Sequence, residues 1–183
     1  WTGAEMPYPR VIPHSDGVGV IDAVGRDVDA SRVGEAVWVF GAQSYRACGT
    51  AAQQTVVPDW QTVPLPDGVP AELAACLGIP GITAHQAVFC DGDVAGRTVV
   101  VHGVLGAVGS LAAQLARWKG ATVIGTVRRR EDLDCVRAVG IDSAVPLDAP
   151  DAADRLRDLA GDTVDRIIDV AFGDNIDLNV EIA

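Results

Sequence analysis

Residues 97–126 read Arg-Thr-Val-Val-Val-His-Gly-Val-Leu-Gly-Ala-Val-Gly-Ser-Leu-Ala-Ala-Gln-Leu-Ala-Arg-Trp-Lys-Gly-Ala-Thr-Val-Ile-Gly-Thr, and their pattern decides the fold. Thr98–Val101 is an unbroken β-branched run, as expected of a strand buried on both faces. Gly103, Gly106 and Gly109 then recur at three-residue intervals and predict a glycine turn. Ser110 to Lys119 reads as a helix with Leu111, Leu115 and Trp118 on one face and Gly120 as its stop. Thr122-Val123-Ile124 starts a second apolar strand. Strand, glycine turn, helix and parallel strand form one βαβ unit, whose crossover is expected to be right-handed.

Glycines at such a turn have distinct physical uses. One allows the tight bend, one lets backbone N–H groups approach a pyrophosphate, and one lets helix pack on strand. The helix N-terminus then offers an anion unpaired donors and a favourable dipole. The spacing here is G-x-x-G-x-x-G, with Val104 and Leu105 between the first two glycines. A glycine triplet alone marks turns in many α/β proteins. The ordered strands and helix around it make a dinucleotide site the better reading.

The end of the second strand discriminates between cofactors in such a unit: an acidic residue suits a free ribose 2′-hydroxyl, and arginine suits a 2′-phosphate. Here Gly125-Thr126-Val127 leads into Arg128-Arg129-Arg130, with no Asp or Glu before Glu131. NADPH is therefore expected over NADH. The competing reading is a solvated basic run. Three cations at a helix start oppose the helix dipole, which a bound phosphate would offset, although Glu131 and Asp132 could do so alone.

Downstream, a helix is expected over Glu131–Val139 with Gly140 as stop, a third strand at Ser143–Val145, a helix over Asp151–Ala160, and a fourth strand at Arg166–Val170. The chain then reads as a polar turn. Asn175, just past that strand, is either a turn former or a cofactor contact. Upstream, residues 1–13 are turn-rich, strands are expected over Val18–Gly25, Val33–Val39 and Ala51–Val57, and Gly41–Gly49 is a loop. After Pro70 come two helices, Ala71–Leu77 and Thr83–Phe89, separated by Gly78-Ile79-Pro80-Gly81. The first part thus predicts an irregular β domain and the second an α/β domain.

Composition narrows the class. The 183 residues are 49% hydrophobic, enough for a sizeable core. No apolar run reaches about 18 residues, which argues against a spanning helix, and no signal-peptide pattern opens the chain. A net charge of −11 argues against sequence-independent nucleic-acid binding. Cys48, Cys76, Cys90 and Cys135 lack metal spacing and read as buried free thiols of a reducing cytoplasm. The chain starts at Trp1, has its single Met at position 6, and shows four parallel strands where a full dinucleotide fold has about six. It reads as a piece of a longer protein.

Of the histidines, His102 reads more readily as a hydrogen-bonded structural residue than as a catalyst, and His85 as packing. His14-Ser15-Asp16 suggests a triad only by composition, since sequence neighbours rarely have triad geometry and no nucleophile elbow is present.

Taken in order, several stretches resemble the medium-chain dehydrogenase/reductase family, in its zinc-independent quinone oxidoreductase (zeta-crystallin-like) branch. They are Ser15-Asp16-Gly17-Val18-Gly19-Val20-Ile21-Asp22-Ala23-Val24-Gly25, Val33-Gly34-Glu35-Ala36-Val37, Gly78-Ile79-Pro80-Gly81-Ile82-Thr83-Ala84, Val101-His102-Gly103 and Gly106-Ala107-Val108-Gly109, with Gln114 and Arg117 at the family's offsets. The resemblance implies a partial GroES-like catalytic domain over residues 1–75 and a partial Rossmann-type, doubly wound NADP-binding domain over 76–183. It implies a nicotinamide cofactor in the cleft between them. Thr83, Gly103, Leu105, Gly106, Ala107, Val108, Gly109 and Thr126 would border that cofactor, with Arg128, Arg129 and Arg130 at the 2′-phosphate and Asn175 beyond the fourth strand. Zinc-dependent relatives carry Gly-His-Glu where this chain has His14-Ser15-Asp16, and their cysteine ligand falls at Ile79. A zinc site needs three or four ligands, so zinc independence is expected. Val104, Leu105 and Ala107 replace smaller residues of the branch and are expected to narrow the phosphate cradle. The family's tyrosine near the start has no match around Gly3–Glu5, and Tyr8 is out of register.

The implied activity is NADPH-dependent reduction of a quinone or an α,β-unsaturated carbonyl, with no general acid identified. An enoyl-thioester reductase of the same superfamily and a non-catalytic NADPH-binding protein of sensor or crystallin type are the alternatives. A homodimer is expected of the full-length protein by the same resemblance.

Overall fold

The computed structural model describes residues 8–44, 46–161 and 163–183. The turn-rich reading of residues 1–7, and the Gly3–Glu5 position of the family's tyrosine, lie outside the described residues. The chain divides into two compact units, Trp1–Ile79 and Pro80–Ala183.

In the first unit Gly17–Val20 (β1), Ala36–Val39 (β2) and Thr62–Pro64 (β3) form an antiparallel sheet in the order β1-β2-β3. Val18 pairs with Trp38, which pairs in turn with Val63. The strand expected over Ala51–Val57 is not there. That segment is mostly exposed, with Val56 at 87% exposure, and only Val57 packs against the core of Val37, Val39 and Ala42. The ladder beside β2 goes instead to Thr62-Val63-Pro64, whose proline, lacking a donor, stands on an edge strand. A short helix, Ala71–Ala74 (α1), follows.

The next helix, Gly78–Phe89 (α2), begins at the Gly-Ile-Pro-Gly segment expected to separate two helices. Pro80 falls within its first turn, where a backbone N–H has no intrahelical acceptor and its loss costs little.

Four parallel strands build the second unit: Thr98–Val101 (β4), Thr122–Val127 (β5), Ala144–Pro146 (β6) and Arg166–Ile168 (β7), in the order β6-β5-β4-β7. Its helices are Ala107–Trp118 (α3), Leu133–Val136 (α4), Ala152–Ala160 (α5) and Phe172–Ile182 (α6). Strand alternation distributes side chains to both faces. Val99 and Val101 join Ala112, Ala113 and Ala116 of α3 in one core, and Val100 and Ile124 join Leu156 of α5 and Ile182 of α6 in another. Helices thus cover both faces of the sheet, and the fold is a doubly wound α/β arrangement.

Three local expectations need correction. α3 starts at Ala107 rather than Ser110, and its buried face is Gly109, Ala112, Ala113 and Ala116. Small side chains bring this helix close to the sheet, leaving Leu111 and Leu115 half-buried and Trp118 72% exposed beneath the Lys119 ammonium. The polar turn expected after β7 is the first turn of α6. All four cysteines are exposed rather than buried.

Candidate nucleotide-binding site

Strand order reverses between β4 and β7: β5 and β6 lie to one side of β4, and the chain then crosses to the other. Ligands of open α/β sheets bind at such a point, outside the carboxyl ends of the strands. Val101 is level with Gly125 of β5 and Ile168 of β7, so the next residues, His102, Thr126 and Asp169, leave the sheet side by side.

The glycine turn starts here. Gly103 has φ +67°, a left-handed conformation that suits glycine. Gly109 is needed for a different reason. A Cβ there would run into the carbonyl of Gly103, 2.8 Å from its carbon, because the first turn of α3 lies directly on the preceding loop. Val104 is fully buried, and its methyl groups sit where a Cβ on Gly125 would fall. Its bulk therefore goes into the core instead of narrowing the turn. Leu105, Gly106 and Ala107 are exposed. The Gly103 N–H donates to Thr126 Oγ1, that of Val104 to the Thr126 carbonyl and that of Gly106 to the Gly103 carbonyl. Leu105, Ala107 and Val108 have N–H groups with no hydrogen-bond acceptor among the described residues, the ordinary state of a helix start. Such a loop presents backbone donors to an anion.

Beyond β5, Arg128, Arg129 and Arg130 are all exposed. Arg129 pairs with Glu131 at 2.7 Å, while Arg128 and Arg130 form no ion pair among the described residues. Acidic groups engage this segment through its backbone: the Arg129 N–H donates to Asp132 and that of Arg130 to Asp148. Thr83 is exposed on α2.

A buried polar chain lies beneath the turn, and it is the part of the site that sequence reading missed. Thr126, which was expected at the cofactor, is fully buried, and its hydroxyl meets His102 Nδ1 at 3.0 Å. His102 Nε2 meets Asn179 Oδ1 at 2.8 Å, and Asn179 Nδ2 donates to Asp169 Oδ2 at 2.8 Å. Asp169 Oδ1 accepts from the Ala171 N–H at 2.7 Å and from Asn175 Nδ2 at 3.1 Å. Desolvation is the largest single influence on Asp169 and pushes its carboxyl up. The Ala171 N–H and the Asn179 and Asn175 amides oppose it, and the group is held below its ordinary value. His102 is thus a hydrogen-bonded internal residue. His85 is exposed, its ring edge-on to Phe89 at 4.9 Å.

Ser15 offers its carbonyl to the Ala42 N–H, and Ile79 is an exposed aliphatic residue. Among the described residues no group of three or more His, Cys, Asp or Glu could hold a metal ion. No hydrogen bond links the His14, Ser15 and Asp16 side chains among those residues. No described helix is long and apolar enough to cross a membrane.

Similarity to known proteins follows this division of the chain. Residues 1–67 match the alcohol dehydrogenase GroES-like domain, and residues 107–183 match the domain family described as zinc-binding dehydrogenase. The chain is 33% identical over 179 residues to a quinone oxidoreductase of Rattus norvegicus, covering 97% of this chain and 52% of that protein. A quinone oxidoreductase of Pseudomonas syringae pv. tomato DC3000 superimposes with a TM-score of 0.85 at 28% identity, covering 98% of this chain and 55% of that one. An NAD-dependent alcohol dehydrogenase gives a TM-score of 0.87 at 27% identity, covering 97% of this chain and 59% of that one. The chain spans about half the length of the curated relatives it matches. With both domain types present in order, the chain belongs to the medium-chain dehydrogenase/reductase superfamily.

Proposed function

We propose that this chain is the nucleotide-holding part of a zinc-independent, NADPH-dependent oxidoreductase that delivers hydride to a quinone or an α,β-unsaturated carbonyl. The observation that carries the cofactor choice is the exposed run Arg128-Arg129-Arg130 directly after β5, with Arg128 and Arg130 free of ion pairs among the described residues. The substrate class rests on the quinone oxidoreductases to which the chain is similar.

The residues fit the group. The Gly103–Gly109 loop offers the N–H groups of Leu105, Ala107 and Val108 to a pyrophosphate, and the absent Cβ of Gly109 lets the helix start sit against the loop. Arg128 and Arg130 would hold the 2′-phosphate through charge-assisted bonds, and Asn175 would approach the other end of the nucleotide. Bound NADPH supplies a hydride; the chain's own residues bind, orient and shield it from water. The zinc-independent reading rests on residue chemistry: Ser15 and Ile79 stand where the resemblance sets a histidine and a cysteine ligand of zinc-dependent relatives, and neither is a good zinc ligand.

Equilibrium binding of NADPH and NADH to this chain, repeated with Arg128, Arg129 and Arg130 all changed to Ala, tests the proposal. Charge-assisted hydrogen bonds of about 1.5–3 kcal/mol predict a preference for NADPH of about ten- to a hundredfold, lost in the triple variant. Equal affinity for the two nucleotides would refute the arginine assignment. Binding of neither would refute the cofactor reading for this chain.

A further inference from the structure

We infer that His102 and Asn179 are positioning residues, which hold the glycine turn and the β7–α6 turn in register for the nicotinamide half of the dinucleotide. The inference rests on the cofactor reading above and adds residues that would not themselves touch the nucleotide.

The carboxylate of Asp169 can only accept. It takes three donors: the Ala171 N–H and the Asn175 and Asn179 amide N–H groups. Because Asn179 spends its NH2 on the carboxylate, its oxygen faces His102 Nε2, and that nitrogen must donate. The proton on Nε2 leaves Nδ1 as the acceptor. Thr126 then gives its single hydroxyl proton to Nδ1 and accepts the Gly103 N–H with a lone pair. One polarity runs from the carboxylate to the first residue of the turn. With the imidazole neutral, no link can be reversed without setting two acceptors against each other.

Burial makes the arrangement consequential. His102, Thr126 and Asn179 are 2%, 0% and 7% exposed, so a broken link leaves a polar group without water. His102 has both nitrogens engaged and no open face for a substrate. Its links join the ends of β4 and β5 to α6, across the point where strand order reverses. With the 2′-phosphate beside β5 and the pyrophosphate at the turn after β4, the second nucleotide half lies toward β7. Asn175 is on that side. Asp169 occupies its NH2, leaving its oxygen without a partner among the described residues as an acceptor for a carboxamide N–H or a ribose hydroxyl.

The test measures NADPH, NADH and adenosine 2′-monophosphate binding to the chain and to His102→Phe, His102→Gln and Asn179→Ala, well below each variant's melting temperature. His102→Phe and Asn179→Ala should weaken NADPH and NADH alike by about tenfold, the effect of one buried hydrogen bond. The NADPH-to-NADH ratio should hold, and adenosine 2′-monophosphate, which reaches only the β5 side, should bind within about twofold of the parent. His102→Gln keeps a donor for Asn179 and should recover most of the loss. The double variant His102→Phe, Asn179→Ala should lose little beyond either single one, since both break the same chain. Unchanged NADPH affinity in the folded variants overturns the inference, as does a parallel loss of adenosine 2′-monophosphate, which would mark general damage to the fold. If His102→Phe does not fold, Asn179→Ala, which adds no bulk, decides by the same criteria. A parent chain that binds no NADPH removes the cofactor reading and this inference together; one that binds it leaves the inference to stand or fall on the variants.

Discussion

Replacing Gly109 and Gly173 separately by alanine puts the same methyl group in the first turn of two helices, with opposite expected results. In an open helical position this change gains about 0.5–1 kcal/mol, because alanine loses less backbone freedom on folding. Gly173 is such a position, as nothing lies within 4 Å of its would-be Cβ. At Gly109 the new atom would stand 2.8 Å from the Gly103 carbonyl carbon and 3.1 Å from the His102 oxygen. Ordinary contact begins at 3.4 Å. Both obstacles are backbone, and the loop that carries them is tied down by the Gly103 and Val104 N–H bonds to Thr126. The turn must shift by more than half an ångström, and because the obstacles are backbone the cost falls in the upper part of the overpacking range, about 2–3 kcal/mol, against a propensity gain of about 1 kcal/mol. The net loss of about 1–2 kcal/mol lowers the melting temperature by about 2–8 °C in a chain of this size, while Gly173→Ala raises it by about 1–4 °C. Thermal unfolding followed by circular dichroism reads both. A Gly109→Ala chain at least as stable as the parent would refute the close approach of α3 to its loop.

Asp169→Asn should destabilise the chain by about 1–3 kcal/mol near neutral pH, because it unbalances a donor–acceptor set that needs a pure acceptor. The folded carboxyl lies below its ordinary value of 3.8, so its contribution is complete above that pH and is lost as pH falls through the lower folded value. Urea unfolding of both chains should therefore show a gap that is flat between about pH 5 and 7 and closes below 3.8; a gap that widened on acidification would contradict this sign. The four exposed cysteines predict that Ellman's reagent titrates the same number of thiols with and without denaturant. Fewer in the native chain would restore the buried reading.

Local pattern revealed the parallel sheet well. β4, β5 and β7 are short apolar runs because both faces of this sheet are covered, and that burial writes itself into consecutive residues. The glycine turn and the arginines after β5 were equally legible, since turn conformations and charge runs are properties of neighbours in the chain. The small antiparallel sheet was less so: Ala51–Val57 and Thr62–Pro64 have similar local character, and only the free edge of β2 selects the second. α6 escaped notice because Gly173, Asp174 and Asn175 are turn formers that also tolerate a helix start.

The buried chain beneath the turn had no local signature. It joins residues 102, 126, 169, 175 and 179, and the His102–Asn179 link spans 77 positions. A histidine after a strand reads as a structural residue or a catalyst with equal ease while its partners are unknown. Strand order and register decide the matter, by bringing His102, Thr126 and Asp169 out of the sheet together and folding α6 back over them. Periodicity, turns and net charge belong to neighbours along the chain and are readable there. Burial, hydrogen-bond polarity and the direction of each donor depend on which distant segments meet, so only the folded chain contains them.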